Sequence, residues 1–371
     1  MNCSAAKTVK VLITDDSAFM RAALSRMVES DAGLTLVGTA HNGTDALAKI
    51  RDLQPDVITL DLDMPGLSGI DTLRRIMAEM PLPVIIVSSL ARDGADITLE
   101  ALKLGAFDCM LKPATSTSSE LFAVQAAFVN TIKSAASSAL FKPRKVSPTL
   151  NPAGRSAAPV KRTVPPSIVA IGISTGGTKA LEEILPSLPM DLPVGILVVQ
   201  HMPVGFTASF ARRLNSSCRM QVLEAQQADP IKPGCIYIAP GGQHLTVRRR
   251  TASEVVAGLT TIPTNVPHMP SVDVMMNSVA DVYGPAAMGI IMTGMGSDGA
   301  QGMHAIYKKG GFTIGQDEAT CAVFGMPRSC AELGVLARVV PLQDIPREIL
   351  EAMGHGGHPT NSWRGAAAGG R

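Results

Sequence analysis

The sequence predicts two doubly wound α/β domains in tandem, each built on a mainly parallel sheet. Three observations carry this expectation. Short apolar runs of strand length recur along the 371 residues with an amphipathic stretch between successive runs. A single Pro- and Ser-rich basic segment interrupts the series, and the chain is longer than one typical domain. Strands buried on both faces read as continuous apolar runs, and parallel pairing needs a helical crossover between them.

In the first domain, expected at residues 8–137, VKVLIT places a strand at Val9 to Thr14, and a helix follows from Ala18 to Glu29. Next come a strand at Leu34 to Ala40, a helix at Gly43 to Asp52 and the four-residue run VITL at Val57 to Leu60. A helix at Gly69 to Glu79, the strand VIIVS at Val84 to Ser88 and a helix at Thr98 to Leu104 continue the alternation. A strand at Asp108 to Leu111 and a long helix at Ser119 to Ser137 close it.

Residues 138–166, rich in Pro, Ser, Ala and basic side chains, cannot offset their ordering entropy by burial and are expected to be a flexible linker. The second domain, 167–353, repeats the pattern. Strands are expected at Ile168 to Ile173, Val194 to Gln200, Gln221 to Leu223, Ile236 to Ala239, Ala287 to Thr293, Phe312 to Gln316 and Val335 to Val340. Helices fit Thr178 to Leu185, Phe206 to Asn215, Ser271 to Val282, Gly299 to Lys309 and Ile345 to Met353. The Gly-rich tail, 354–371, contains the only tryptophan, Trp363, and is expected to be disordered.

Composition narrows the function classes. Lys plus Arg 33 against Asp plus Glu 31 gives +2, so no electrostatic footprint points to nucleic acid or an anionic bilayer, and the basic linker residues read as part of a tether. The six cysteines (Cys3, Cys109, Cys218, Cys235, Cys321 and Cys330) show no paired spacing, which argues against a disulfide framework or a zinc site. The N-terminus lacks an apolar core of signal-peptide length, and the apolar runs are strand-sized. A cytoplasmic protein without membrane insertion is expected.

Chemistry concentrates at strand ends. Asp15 and Asp16 end the first strand, Asp61 the third, Ser88 the fourth and Lys112 the fifth. The C-terminal ends of an open parallel sheet share one crevice, so these side chains should converge. Clustered carboxylates suit a hard divalent cation, Mg2+ above all. Such a cation would neutralise charge as a phosphoryl group meets Asp61, while Lys112 and Ser88 take phosphate oxygens. Each acidic residue alone could simply cap a helix; the full set favours the phosphate site. VLITDDSAFMR, DVITLDLDMPGLSGID, PVIIVSSL and LGAFDCMLKP resemble the receiver domains of two-component response regulators over about residues 8 to 130. The resemblance implies a flavodoxin-like (βα)5 fold with Asp61 as phospho-acceptor. It also implies Mg2+ held by Asp15, Asp16, Asp61 and the backbone of Asp63. Receivers often carry an aromatic residue three positions before the lysine, and this chain has Cys109 there. Signal transmission is therefore expected to take another route, such as the face around Met110 and Ser88 to Leu90.

In the second domain, IVAIGISTGGTKAL puts Ser174 in a small-residue turn between a strand and a helix, where helix-start amides can bind an oxyanion. Gly172, Gly176 and Gly177 permit close approach of a substrate. From this segment alone a phosphate or nucleotide site stays open, although G-x-G-x-x-G and G-K-[ST] are absent. His201 follows the next strand, and Asp298 lies in MTGMGSDGA after another. A serine becomes nucleophilic when a base takes its proton and a carboxylate orients that base. Other histidines compete: His244 before a surface strand, His268 in a Pro-rich loop, His304 one turn into a helix, and His355 and His358 in the tail.

GISTGG, QHMPVGFT, IAPGGQH, HMPSVDVMM and MTGMGSDGA resemble the catalytic domain of chemotaxis protein-glutamate methylesterases, the CheB family, over about residues 166 to 350. The resemblance implies a Rossmann-like catalytic domain that demethylates glutamate γ-methyl esters and deamidates glutamines. Its substrates would be chemoreceptor cytoplasmic domains, and a chemotaxis histidine kinase would be the phosphodonor. By the same resemblance Ser174 is the nucleophile, His201 the base and Asp298 its orienting carboxylate, with Met295 at the oxyanion amide, Thr175 flanking the nucleophile and no cofactor at the esterase site. The chain is expected to act as a monomer without nucleic acid. The competing class is a non-enzymatic response regulator whose second domain binds a nucleotide or a partner protein. A transcriptional regulator would need a basic recognition helix that this sequence lacks.

Overall fold

The computed structural model describes residues 8–88, 92–112, 118–138 and 164–354. The expected linker and tail, with Trp363, His355 and His358, fall outside them except at their edges, as do Ser89 and Leu90 of the suggested signalling face.

The first sheet consists of β1 (Val9–Thr14), β2 (Leu34–Ala40), β3 (Val57–Leu60), β4 (Val84–Ser88) and β5 (Asp108–Leu111), in the order β2-β1-β3-β4-β5. All pairings are parallel. Its helices are α1 (Ala18–Glu29), α2 (Gly43–Leu53), α3 (Gly69–Glu79), α4 (Arg92–Leu104) and α5 (Ser118–Ser137). Ser17, Asn42 and Ser68 start the first three helices, each accepting a hydrogen bond from the amide three residues on. α4 begins six residues before the expected Thr98. RDGADI carries Gly94 and three charges, so its helical turn shows no apolar periodicity. Strand order reverses at β1 and β3, and this places Asp15 beside Asp61.

The second domain contains β6 (Ile168–Ile173), α6 (Gly177–Ile184), β7 (Gly195–Gln200), α7 (Phe206–Ser217), β8 (Gln221–Glu224), β9 (Cys235–Ile238), β10 (His244–Arg249) and β11 (Val255–Thr260). It continues with α8 (Val272–Tyr283), β12 (Ala287–Ile291), α9 (Ala300–Lys308), β13 (Phe312–Gln316), α10 (Met326–Glu332), β14 (Arg338–Val340) and α11 (Ile345–Ala352). Seven strands form one parallel sheet in the order β14-β13-β12-β6-β7-β9-β8. The direction of winding switches around β6, whose neighbours are β7 and β12. Their C-terminal ends lead into Ser174, His201 and the Asp298 loop.

Three expectations need correction. A strand was expected after His244, but its antiparallel pairing with β11 and the short α10 were not, because RR and GLT interrupt the apolar runs and Pro327 sits in a seven-residue helix. β12 and β14 are shorter than expected: Met292, Thr293 and Ala337 each keep one backbone hydrogen bond to the neighbouring strand, but the regular ladder runs only over Ala287–Ile291 and Arg338–Val340. His244 does not precede a surface strand: it is the first residue of β10 and wholly buried.

The two domains share apolar surface. α4 packs on α6 and α7, and one buried cluster runs from Leu99 and Leu102 to Met202, Phe206 and Phe210. No helix among the described residues is long and apolar enough to cross a membrane.

Candidate active site and phosphate-acceptor site

At the first site, carboxylate oxygens of Asp15, Asp16 and Asp61 lie within 4.8 Å of one another. Asp15 and Asp61 are buried and Asp16 is exposed, so the cluster opens to solvent on one side. Lys112 Nζ bridges Asp61 Oδ2 at 2.7 Å and Asp15 Oδ2 at 3.0 Å. Asp15 Oδ1 also accepts the Ser17 amide at 2.9 Å, which orients its carboxylate. Burial raises the Asp61 carboxyl above its ordinary value and the Asp15 charge adds to this, while Lys112 opposes them. The backbone amide of Asp63 points back to Asp61 Oδ1 at 3.3 Å. Ser88 ends β4 and is buried. The structure brings together Asp15, Asp16, Asp61, Lys112 and the Asp63 amide, with Ser88 at the end of the neighbouring strand β4, and an all-oxygen acidic set with one open side suits a hard divalent cation.

The second site begins at Ser174, where β6 ends. The Ser174 amide donates to Thr293 O at 2.9 Å, and its carbonyl accepts from Gly177 N at 2.8 Å, which closes the turn into α6. Gly176 within that turn has φ +77°, a left-handed conformation that a side chain would strain. Buried Gln200 donates through Nε2 to Ser174 O at 2.9 Å and to His201 O at 3.0 Å. It thus ties the serine turn to the histidine turn. On the other flank, a Cβ at Gly294 would collide with Ser174 Cβ, so the Gly294–Met295 backbone runs directly against the serine. Thr175 is buried, and its carbonyl accepts the Thr293 hydroxyl at 3.0 Å.

His201 Nε2 lies 2.8 Å from Asp298 Oδ2. A carboxylate only accepts, so Nε2 carries the hydrogen and Nδ1 the lone pair. Nδ1 is buried without a hydrogen-bond partner, and His201 lines with Ser174 a cavity of about 30 Å³. This use of the ring nitrogens is the reverse of the chymotrypsin-type arrangement, in which the carboxylate takes Nδ1–H.

Asp298 is held by the start of α8. Its Oδ1 accepts the Ser271 hydroxyl at 2.8 Å and the Asp273 amide at 3.0 Å, and its Oδ2 accepts the Val272 amide at 2.7 Å. Burial disfavours the charge, but the His201 hydrogen bond and the α8 amides outweigh it and hold the carboxyl well below the usual range. Sequence reasoning placed a helix from Ser271 but missed that its start holds Asp298. The Ser-x-Asp spacing at the head of an apolar helix was the available signal.

Two more residues were missed. His268 stacks on His201 with ring centroids 4.0 Å apart and planes 19° from parallel. From the first domain, Asp108 reaches the Ser174 cavity together with Leu102 and Cys109. The Asp108 carboxylate hydrogen-bonds the Thr175 side chain and accepts its neighbour's amide, Cys109 N, at 2.8 Å. Burial pushes the Asp108 carboxyl up to about 6, against the opposing pull of those two bonds. Ser134 of α5 also meets Met295 Sδ at 3.8 Å. The first domain thus covers the serine cleft, and Cys109 lines that cleft at the position where receivers often carry an aromatic residue. Of the other histidines, His244 accepts Ser271 N at Nδ1, 3.0 Å away, and pairs through Nε2 with Pro263 O at 3.0 Å. It holds loops together, while His304 lies within α9.

Comparison with known proteins agrees with this architecture. Residues 11–124 match the family model for the response regulator receiver domain, and residues 169–349 match that for CheB methylesterase. A protein-glutamate methylesterase/protein-glutamine glutaminase of Symbiobacterium thermophilum is 44% identical, with 94% of this chain and 98% of that protein covered. One of Halalkalibacterium halodurans is also 44% identical, covering 92% of this chain and 97% of that protein. The crystal structure of the Thermotoga maritima CheB methylesterase catalytic domain is 41% identical and covers 51% of this chain and 99% of that chain at a TM-score of 0.49. With a receiver ahead of a CheB methylesterase domain and relatives aligned over nearly their whole length, the chain belongs to the protein-glutamate methylesterase/protein-glutamine glutaminase family.

Proposed function

We propose that Ser174, His201 and Asp298 form a catalytic triad that hydrolyses glutamate γ-methyl esters and deamidates glutamines on chemoreceptors, under the control of phosphorylation at Asp61. The observation that carries this reading is the His201 ring. It is fixed by Asp298 through Nε2, and its buried, unpartnered Nδ1 lies in a cavity that Ser174 also lines.

The chemistry follows from that geometry. As Ser174 Oγ bonds to the side-chain carbonyl carbon, its proton passes to His201 Nδ1, and Asp298 stabilises the imidazolium through Nε2–H. The carbonyl oxygen takes up the negative charge, and backbone amides around Thr175 and Met295 are the donors suited to it. Collapse of this intermediate breaks the bond to methoxide or amide nitrogen, and the Nδ1 proton leaves with methanol or ammonia. Water then gives its proton to Nδ1, attacks the acyl-serine and releases glutamate. The ester is the easier substrate because methoxide leaves more readily.

The receiver supplies control. Asp15, Asp16 and Asp61, with the backbone of Asp63, would hold Mg2+, which when bound offsets negative charge at the phospho-acceptor. Asp61 would accept a phosphoryl group from a chemotaxis histidine kinase, Lys112 would exchange its carboxylate partners for a phosphate oxygen, and Ser88 would take another oxygen. Leu102, Asp108 and Cys109 line the Ser174 cavity from the receiver side, which supports a closed, inhibited form that phosphorylation would convert to an open one. The segment between the domains keeps the receiver at high effective concentration.

The direct test of the chemistry is Ser174→Ala. It should abolish methanol release from methylated receptor while Asp61 still accepts phosphate. Retained turnover would overturn the assignment, and tight nucleotide binding would favour the non-enzymatic alternative.

A further inference from the structure

His268 stands in the loop before α8, and its imidazole covers one face of His201 at a centroid distance of 4.0 Å and 19° from parallel. We propose that His268 is a positioning residue for the general base, a planar backstop that holds the His201 ring in the plane joining Asp298 to Ser174. This rests on the triad reading given above. The Asp298 hydrogen bond anchors the ring at Nε2, but a single edge contact leaves it free to tilt, since the terminal torsion of histidine has a broad energy well. A parallel ring against the face removes that freedom. Tilt matters because Nδ1, on the far edge from Asp298, has no partner to hold it. A displacement of about 1 Å at a reacting atom can cost about a hundredfold in rate.

The chemistry of the stack suits the reaction. Burial against its neighbours and the adjacent His201 push the His268 pKa down to about 4, so His268 is neutral when the enzyme works near pH 7. As His201 takes the serine proton, it becomes a cation against the face of a neutral aromatic ring, an attractive arrangement. His268 keeps solvent-exposed surface in its loop although one face of its ring is covered by His201.

The test uses the full chain with a small-molecule phosphodonor and a glutamate γ-methyl ester peptide. His268→Ala should lower kcat about tenfold with KM within twofold, and slow trapping of Ser174 by a fluorophosphonate by the same factor. His268→Phe, which keeps a ring face but no nitrogen, should recover to within about threefold of wild type. An unchanged kcat in His268→Ala overturns the proposal, as does a rise in KM alone, which would make His268 a substrate contact. A His268→Phe variant as slow as His268→Ala also overturns it, because a ring nitrogen would then be required. His201→Ala reads the triad separately: rapid fluorophosphonate trapping in that variant would refute the triad itself, whatever His268 does.

Discussion

Asp108→Asn in the receiver should make the resting enzyme quieter, although it leaves the serine domain untouched. Asp108 enters the Ser174 cavity, and burial there raises its carboxyl from 3.8 to about 6. The charged form is therefore disfavoured in the closed arrangement. A group whose pKa is raised on closing contributes its full stabilisation below its ordinary pKa, and that contribution is lost as pH rises through the raised value. The window here is about pH 4 to 6. The shift of about two units corresponds to at most about 3 kcal/mol at neutral pH, and about 1 kcal/mol remains if two thirds of the burial persists in the open form. Asparagine cannot ionise and still accepts the Thr175 and Cys109 hydrogen bonds. At pH 7.5, without phosphodonor, Asp108→Asn should thus release methanol about 5 to 100 times more slowly than wild type. The ratio of the two rates cancels the pH dependence of the chemistry and should approach one near pH 4. Rates with saturating phosphodonor should be similar. A basal rate that rises, or a ratio that does not change with pH, would refute the reasoning.

Other consequences are measurable in the same assay. Chelating divalent cations should remove activation by phosphodonor and leave the basal methanol-release rate in place, since the acidic cluster is in the receiver and not at Ser174. Ser271→Ala removes both the cap of α8 and a hydrogen bond to Asp298. It should lower stability by about 1 kcal/mol in denaturant unfolding, and reduce kcat more than it raises KM.

The fold was legible where strands are buried on both faces. VITL, VIIVS, IVAIGI and GILVVQ are buried along their whole lengths, so composition alone marks them as central strands. Parallel topology then sends Asp15, Asp61, Ser174 and His201 to strand ends, which is why the sequence makes them candidates for two sites. The pairing of β10 with β11 escaped because its ends are polar, and the first turn of α4 escaped because RDGADI carries Gly94 and three charges and so lacks apolar periodicity. The same limit applies to the site. Asp108 and Thr175 are 67 positions apart in the chain, and no local pattern marks a receiver carboxylate for a serine cleft. His268 looked like one of several loop histidines until its ring was found on His201. Cys109 was visible as a departure at the switch position, but only the packing of the two domains shows that this position faces the Ser174 cavity.

The central claim is that phosphorylation at Asp61 governs access to Ser174. Its most direct measurement is the second-order rate of fluorophosphonate trapping at Ser174 in the full chain, with and without a small-molecule phosphodonor, for wild type and Asp61→Asn. Trapping should accelerate with phosphodonor in wild type and stay at the resting rate in Asp61→Asn. Equal rates in wild type with and without phosphodonor would contradict the account.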